Sequence, residues 1–108
     1  MKSFLINVAT DFSRFPSGRY CSDGQYSGQQ FRDVILVRAL GEYEHVTVML
    51  DGTSGYASSW LEEVFGGVSD YYRIADRLTI VSIDDPSLVD EANEYIKNGI
   101  NKVLGSRT

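Results

Sequence analysis

Cysteine, histidine and proline are scarce in this chain, whose 108 residues include one cysteine, one histidine and two prolines. With Cys21 alone, no intramolecular disulfide can form, which is typical of proteins in a reducing compartment. Nothing in the neighbouring sequence lowers a thiol pKa, so we interpret Cys21 as a small packing residue rather than as a nucleophile. His45 is the lone histidine and belongs to no Cys/His cluster, so we predict no metal centre around it.

Long apolar runs and clusters of basic residues are also missing. No segment reaches the roughly 18 apolar residues of a membrane span, and we expect no secretion signal, since no basic stretch precedes an apolar core. The formal net charge of −5 argues against binding nucleic acid or an anionic membrane through a basic field. We therefore expect a cytoplasmic protein with one domain over residues 1–108.

The residues that are present alternate between β-type and helical segments. Apolar and β-branched runs predict strands at 4–9, 45–50 and 78–83, with a weaker short strand near 19–21. Apolar residues at helical spacing predict helices at 28–40, 59–65 and 86–104. Strands joined through helices pair mostly in parallel, so we predict an α/β domain with a mostly parallel central sheet and about three helices.

Two burial patterns follow from these segments. The strand at 45–50 is almost entirely apolar or β-branched, so we expect both of its faces to be covered. In the first predicted helix, a stripe that includes Phe31 and Ile35 should face the core, and Val34 should widen that stripe.

Two helix starts carry caps. Ser27 and Gln30 form an S-x-x-Q capping box, in which the serine accepts a backbone N–H of the first turn. Asp84 and Asp85 end the third strand, where paired carboxylates could bind Mg²⁺. Because Pro86 follows and proline is favoured at the first helical position, we interpret Asp85 as a helix cap instead. We therefore predict no metal site and no cofactor.

The most informative stretch runs from Asp51 to Gly67, with the sequence DGTSGYASSWLEEVFGG. It leads from an apolar strand through a Gly-rich turn into a helix, a place where ligands and regulatory groups often lie in α/β proteins. Ser59 and Glu62 fit a capping box, and Ser58 lies beside them. A serine at a solvated helix start is also accessible to a kinase, and a phosphate there adds nearly two negative charges.

The same stretch lacks the motifs of a catalytic site. The sequence G-Y-A-S-S does not match the G-x-S-x-G elbow of serine hydrolases. His45 begins the preceding strand, and six strand residues span roughly 20 Å, so it lies too far away to activate a serine. The glycines come without the lysine of a P-loop or the spacing of a dinucleotide fingerprint. We therefore expect no enzymatic activity.

Several aromatic residues lie near turns or helix ends. They are Tyr20, Tyr26, Tyr56, Trp60, Tyr71 and Tyr72. Aromatic side chains in such places are typical of protein-binding surfaces, although single exposed aromatic residues are normal, and both interpretations stay open. The predicted partner-binding residues are Tyr20, Tyr26, Ser54, Tyr56, Trp60, Glu62 and Glu63.

Three segments resemble a known family: FSRFPSGRY at 12–20, DGQYSGQQFRD at 23–33 and LDGTSGYASSWLEEVFGG at 50–67. They are similar to STAS-like domains, small relatives of anti-sigma-factor antagonists and of sulfate-transporter C-terminal domains. The resemblance is particularly to a bacterial and phage STAS-like family of unknown function. It extends over residues 4–85 and implies a STAS-like α/β fold.

In true antagonists, a strand leads through an Asp-Ser-Ser-Gly turn, whose second serine is phosphorylated by a kinase with a GHKL-type ATPase fold. On this chain the turn falls on Ala57, Ser58, Ser59 and Trp60, with alanine in place of the aspartate and tryptophan in place of the glycine. The resemblance thus implies Ser59 as the phosphoacceptor, with Ser58 as the alternative. It also implies a protein partner, for which a GHKL-type ATPase or kinase-like regulator is the expectation.

Three hypotheses about function remain. The first is a non-enzymatic regulatory module that binds a partner protein and is switched by serine phosphorylation. The second is a phage- or defence-related protein that docks constitutively through its aromatic residues and the 11–27 loop. The third is a small-molecule or nucleotide binder that uses the turn after the central strand.

Overall fold

Three parallel strands form one sheet in the order β1-β2-β3, in a computed structural model that describes residues 2–68 and 76–105, with side chains up to residue 102. The strands are β1 at Ser3–Asn7, β2 at His45–Met49 and β3 at Leu78–Val81. In the register, Phe4 lies opposite Val46, which in turn lies opposite Leu78. The predicted parallel α/β architecture is confirmed.

Four helices connect and flank these strands. Helix α1 is the single turn Val8–Asp11, and α4 is the long helix Pro86–Gly105. Helix α2 covers 28–42 and consists of α-helical Gly28–Gln30, π-helical Phe31–Leu36 and α-helical Val37–Glu42. Helix α3 begins with α-helical Ser58–Leu61, continues as π-helical Glu62–Gly66 and extends through residue 68. The three longer helices agree with the predicted ones.

The first strand ends at Asn7 rather than at Ala9, because Asn7 caps helix α1. Its side-chain oxygen accepts the Thr10 N–H at 3.4 Å, and the Asp11 carboxylate accepts the Asn7 N–H at 2.8 Å. These two hydrogen bonds stabilise a helical turn at Val8–Asp11, where the apolar sequence predicted that the strand would continue to residue 9.

The short strand predicted near 19–21 is replaced by a single 3₁₀ turn at Cys21–Asp23. The Asp23 carboxylate accepts the Tyr20 N–H at 2.9 Å and closes this turn. Cys21 is exposed, so its interpretation as a packing residue is wrong.

The caps at two helix starts are confirmed. Ser27 Oγ accepts the Gln30 N–H at 3.1 Å, while the Gln30 side chain accepts the Tyr26 N–H at 3.0 Å instead of that of Ser27. At the start of α4, Asp85 Oδ1 accepts the Ser87 N–H at 3.2 Å. Asp85 therefore acts as the predicted cap.

One face of β2 is covered and the other is partly exposed, among the residues described. Val46 and Val48 are fully buried, whereas Thr47 and Met49 on the opposite face are only partly buried. Two right-handed crossovers that step in one direction, from β1 to β2 to β3, place their helices on the same face of the sheet. The expectation that helices cover both faces of β2 is therefore corrected.

The core lies between this covered face and the helices. Its largest fully buried side chains are Trp60, Phe31 and Phe65. On helix α4, Ala92 and Ile96 are buried. Leu88 and Ile100 are partly buried, and Val103 lies beyond the described side chains.

Candidate functional site

Ser58 and Ser59 are the first two residues of helix α3, where the loop after β2 ends. The preceding residue is Ala57, with extended backbone (φ −75°, ψ 146°), and no side chain caps this helix end. The capping box predicted for Ser59 and Glu62 is therefore wrong, because Ser59 is one residue inside the helix rather than before it. Ser58 is exposed and Ser59 is half-buried, so the two hydroxyls differ in access.

The Ser58 hydroxyl interacts with Tyr95 of helix α4. The Tyr95 hydroxyl donates to the Glu91 carboxylate at 2.9 Å, and this bond raises the pKa of Tyr95. The Ser58 hydroxyl lies close enough to lower that pKa slightly, and Glu62 acts on the same phenol through its charge. Ser58 therefore lies near a tyrosine that interacts with two carboxylates, and one of these, Glu62, is paired with Arg19.

The loop from β2 to α3 is tied to the end of β3 by Asp51. Its carboxylate accepts the Ser82 hydroxyl at 2.7 Å, the Ile83 N–H at 2.8 Å and the Asp84 N–H at 3.3 Å. The bond from Ser82, followed by that from the Ile83 N–H, lowers the pKa of Asp51. Over residues 2–68 and 76–105, no three His, Cys, Asp or Glu side chains are grouped so that they could hold a metal ion.

Tyr56 and Trp60 fasten the loop and the helix to the core rather than presenting a surface. The Tyr56 hydroxyl donates to the Leu50 carbonyl at 2.7 Å, and burial raises the pKa of Tyr56 to about 12. Trp60 is 0 % exposed, and its indole N–H donates to the Tyr26 carbonyl at 3.0 Å. The prediction that Trp60 contacts a partner is corrected, since no part of its ring reaches the surface.

Trp60 packs in an aromatic cluster that the sequence analysis did not predict. The rings of Phe12, Phe31 and Tyr56 lie within 6.4 Å of the Trp60 ring, measured between centroids. Phe12 belongs to the loop after β1 and Phe31 to helix α2, so the cluster joins segments distant in sequence.

Tyr26 is the one described non-glycine residue with positive φ (65°). Its carbonyl accepts two bonds, from the Ser17 N–H at 3.1 Å and from the Trp60 indole at 3.0 Å. These bonds hold a conformation that costs of order 1 kcal/mol for such a residue. The Tyr26 ring remains 39 % exposed, and that of Tyr20 is 49 % exposed.

Phe15 is a surface residue that sequence reasoning missed. It is 70 % exposed, in the same 11–27 loop as Tyr20 and Tyr26. This loop contacts the predicted site directly, since the Ser54 N–H donates to the Arg14 carbonyl at 2.8 Å. The structure therefore brings Ser54 together with the aromatic loop, whereas Tyr71 and Tyr72 lie outside the described residues.

Glu62 and Glu63 belong to an ion-pair network that joins helix α3 to helix α2 and to the 11–27 loop. Arg19 pairs with Glu62 at 2.7 Å and with Glu63 at 3.3 Å, while Arg32 pairs with Glu63 at 2.5 Å. The Glu63 side chain is 14 % exposed and that of Glu62 is 52 % exposed. Glu63 is therefore engaged within the molecule, and of the two only Glu62 presents a carboxylate to solvent.

A comparison with family models matches residues 27–88 to a STAS-like domain of unknown function (DUF4325). The match covers more than half of the chain. The chain belongs to this STAS-like family. Comparisons with curated proteins and with solved structures give no match.

The STAS-like match begins at the Ser27 cap and ends in the first turn of α4. The matched residues thus include the serine pair of α3 and Asp51 with its hydrogen bonds to residues 82–84, and they exclude Tyr20 and Tyr26. No helix within the described part of the chain is long and apolar enough to cross a membrane.

Proposed function

We propose that this STAS-like protein is a non-enzymatic regulatory module that binds a partner protein near the start of α3, and that phosphorylation of Ser59 or Ser58 weakens the contact. The observation that carries the proposal is the serine pair in the first turn of α3, without a side-chain cap and reachable from solvent. Ser59 occupies the phosphoacceptor position implied by the family resemblance, whereas Ser58 is the more exposed of the two.

A phosphate at either serine would change the charge of this surface sharply. The helix N-terminus favours an anion, which keeps the modified protein folded. Glu62 and Glu91 lie on the same side, and Arg19 already pairs with Glu62. Nearly two further negative charges would therefore stay unpaired by the protein and would act on the partner.

The docking surface in this proposal consists of Ser54, Ser58, Glu62, Tyr20 and Tyr26. Their exposure supports it: Tyr20 is 49 % and Tyr26 39 % exposed, and Ser54 and Glu62 are also at the surface. The expected partner is a GHKL-type ATPase or kinase-like regulator, by analogy with the antagonists that the chain resembles.

The test is binding of serine variants to the partner, identified by affinity capture with the unmodified protein and mass spectrometry. Ser59→Asp or Ser58→Asp should weaken the measured affinity about tenfold or more, which corresponds to about 1.4 kcal/mol. Ser59→Ala and Ser58→Ala should keep it. Ser87→Asp is the matched control, because Ser87 is an exposed serine in the first turn of α4.

Equal affinity of the Asp and Ala variants would disprove the switch while leaving docking intact. A loss of affinity that is seen with Ser58→Asp and not with Ser59→Asp would assign the switch to Ser58. Phosphopeptide mass spectrometry of the protein from its host should then find phosphate on the same serine.

Constitutive docking is the second candidate, and the exposed aromatic residues of the 11–27 loop favour it. Phe15 is 70 % exposed and lies in the same loop as Tyr20 and Tyr26. Under this hypothesis Tyr20→Ala and Tyr26→Ala abolish capture of the partner, while every serine variant retains it. Capture that depends on the serines and not on the tyrosines would contradict it.

A further inference from the structure

The outer edge of strand β3 carries backbone groups that the described part of the chain does not use. Strand β3 is at one end of the sheet and, within the described residues, pairs only with β2. The Arg77 carbonyl accepts the Val46 N–H at 2.8 Å and therefore points toward β2. Because successive residues of a strand alternate in direction, Leu78 and Ile80 direct their N–H and C=O groups to the outer edge.

These four backbone groups are available for pairing. No hydrogen bond among the described residues uses them, and the bonds at the end of β3 involve residues 82–85, beyond this part of the edge. Leu78 and Ile80 are 7 % and 6 % exposed, whereas Val46 and Val48, their partners in β2, are 0 % exposed. The strand contains no charged residue and no proline, the usual obstacles to pairing at a sheet edge. This edge is therefore open to a further strand.

A cavity of about 240 Å³ lies between strand β3 and helix α4. Its floor is apolar, since Leu78 and Ile96 are buried and Ile100 is half-buried. Its rim consists of three exposed polar residues, spaced four apart on one face of α4: Asn93, Lys97 and Asn101. The cavity is smaller than the roughly 300–1,000 Å³ of typical small-molecule sites, and its size suits a single apolar side chain.

The cavity lies on the face of the sheet to which a strand added at this edge would direct its side chains. Leu78 and Ile80 are buried on the covered face, beneath the helices. A residue that pairs with Leu78 from outside projects its side chain to that same face, because directly opposite residues of paired strands share a face. Its side chain would therefore enter the cavity and contact Ile96 and Ile100.

We propose that an extended peptide segment of a partner protein adds to the sheet as a strand beside β3. An aliphatic or aromatic residue of the peptide pairs with Leu78 and fills the cavity, and an acidic residue close to it binds Lys97. Among the described residues Lys97 forms no ion pair, so its ammonium group is available to a carboxylate. In such strand addition, main-chain hydrogen bonds give affinity, and the cavity and the lysine give specificity.

A peptide strand is the occupant that uses all of these features. A small molecule in the cavity would leave the backbone groups of Leu78 and Ile80 without partners, and a helix has no free backbone groups to offer them. The strand Leu78–Val81 is only four residues long, so the peptide needs the apolar anchor in addition to its main-chain bonds. This site shares no residue with the docking surface at α3, so the two contacts are independent.

The test is selection of peptides from a random hexapeptide display library on the full chain. The unmodified protein should enrich sequences with an apolar anchor and an acidic residue near it. Lys97→Glu should reverse the charge preference to basic residues, and Ile100→Asn should weaken the enriched peptides about tenfold or more. Lys102→Glu is the matched control, because Lys102 is an exposed lysine of α4 outside the cavity and should leave the selection unchanged. Far-UV circular dichroism checks that the variants are folded.

Backbone methylation of an enriched peptide tests whether it binds as a strand. Alternate residues of an added strand direct their N–H groups to β3, so N-methylation of one alternate set should weaken binding about tenfold or more, and that of the other set should have little effect. The Leu78 and Ile80 amides should also exchange more slowly with deuterium when the peptide is bound.

Three results would overturn the proposal. The first is a library that yields no enriched peptide, including the case in which sedimentation equilibrium shows the chain pairing with a second copy instead. The second is enriched peptides that bind Lys97→Glu and Ile100→Asn as well as they bind the unmodified chain. The third is equal loss of affinity on methylation of either alternate set.

Discussion

At the scale of single residues, Asp51 has the most specific role that the structure reveals. In the sequence Asp51 begins a Gly-rich turn, and the sequence pattern predicted no contact for its side chain. In the structure its carboxylate accepts three hydrogen bonds from residues 82–84 and so connects the ends of β2 and β3. All three donors favour the ionised form of this carboxylate.

Asp51 should make the stability of the protein depend on acid pH. Its pKa is lowered in the folded state, chiefly by the Ser82 hydroxyl, so its contribution is present above the unfolded-state pKa of about 4 and is lost as pH falls through the folded-state pKa. Asp51→Asn should therefore unfold at lower denaturant concentration at pH 7 and should lose part of the acid dependence.

Denaturant unfolding at a series of pH values from neutral to acid measures this effect. Asp84→Asn is the control, because the Asp84 carboxylate is exposed and accepts no described hydrogen bond. An Asp51→Asn protein that keeps the acid dependence of the unmodified chain would show that other carboxylates cause it.

Gly28 is a residue at which the backbone of helix α2 closely approaches that of helix α3. A Cβ built on Gly28 would lie 2.7 Å from the Trp60 carbonyl oxygen and 3.2 Å from Glu63 Cβ. Gly28→Ala should therefore destabilise the fold by about 1–3 kcal/mol, the usual range for overpacking.

Gly41 offers the matched substitution in the same helix. A Cβ there meets nothing within 4 Å, so Gly41→Ala should be neutral or stabilise by up to about 1 kcal/mol through helix propensity. Equal effects of the two alanine variants on the free energy of unfolding would contradict the close approach at Gly28.

At the scale of elements, the π-helical segments of α2 and α3 decide which residues face the core. A π-helix has more residues in each turn than an α-helix. Residues at α-helical spacing therefore no longer lie on the same face of the helix. Val34 was expected in the buried stripe of α2, yet it is 53 % exposed, whereas Phe31 and Leu36 at the two ends of the π segment are fully buried.

The two helices are held together by Glu63, and its removal should cost more than that of its neighbour. Glu63→Gln removes the ion pair between the helices and leaves Arg32, with a side chain 17 % exposed, paired only with Asp33 of its own helix among the described contacts. We expect a loss of about 1–3 kcal/mol in the free energy of unfolding. Glu62→Gln should change it by less than about 1 kcal/mol, because that carboxylate is half exposed.

Thermal and denaturant unfolding of the two glutamine variants gives this comparison. Losses of equal size would indicate that Glu63 is as well solvated as Glu62. High salt should reduce the effect of Glu62→Gln by a larger fraction than that of Glu63→Gln, since an exposed ion pair is screened more than a partly buried one.

At the scale of the whole molecule, the long helices and one face of the sheet form a single core. The docking surface that we propose lies at the carboxyl ends of the strands, where the loops after β1 and β2 meet through the bond from the Ser54 N–H to the Arg14 carbonyl. A partner bound there would contact loops and the first turn of α3 and would leave the core undisturbed.

Much of the fold was predictable from local pattern. The order of strands and helices, the caps at Ser27 and Asp85, and the STAS-like family all follow from residues close together in the chain. Helix periodicity, β-branched runs and capping side chains act over a few residues, so the sequence by itself determined them.

Tertiary structure decided the environment of each candidate site residue. Trp60 bonds to Tyr26, 34 residues away, and Glu63 bonds to Arg32, 31 residues away. Such contacts depend on how the helices pack across one face of the sheet, and no local pattern encodes that distance. The sequence by itself therefore determined that a helix begins near Ser58 and Ser59. Only the packed fold decided that Trp60 is buried and Glu63 is paired with Arg32, while Ser58 stays exposed.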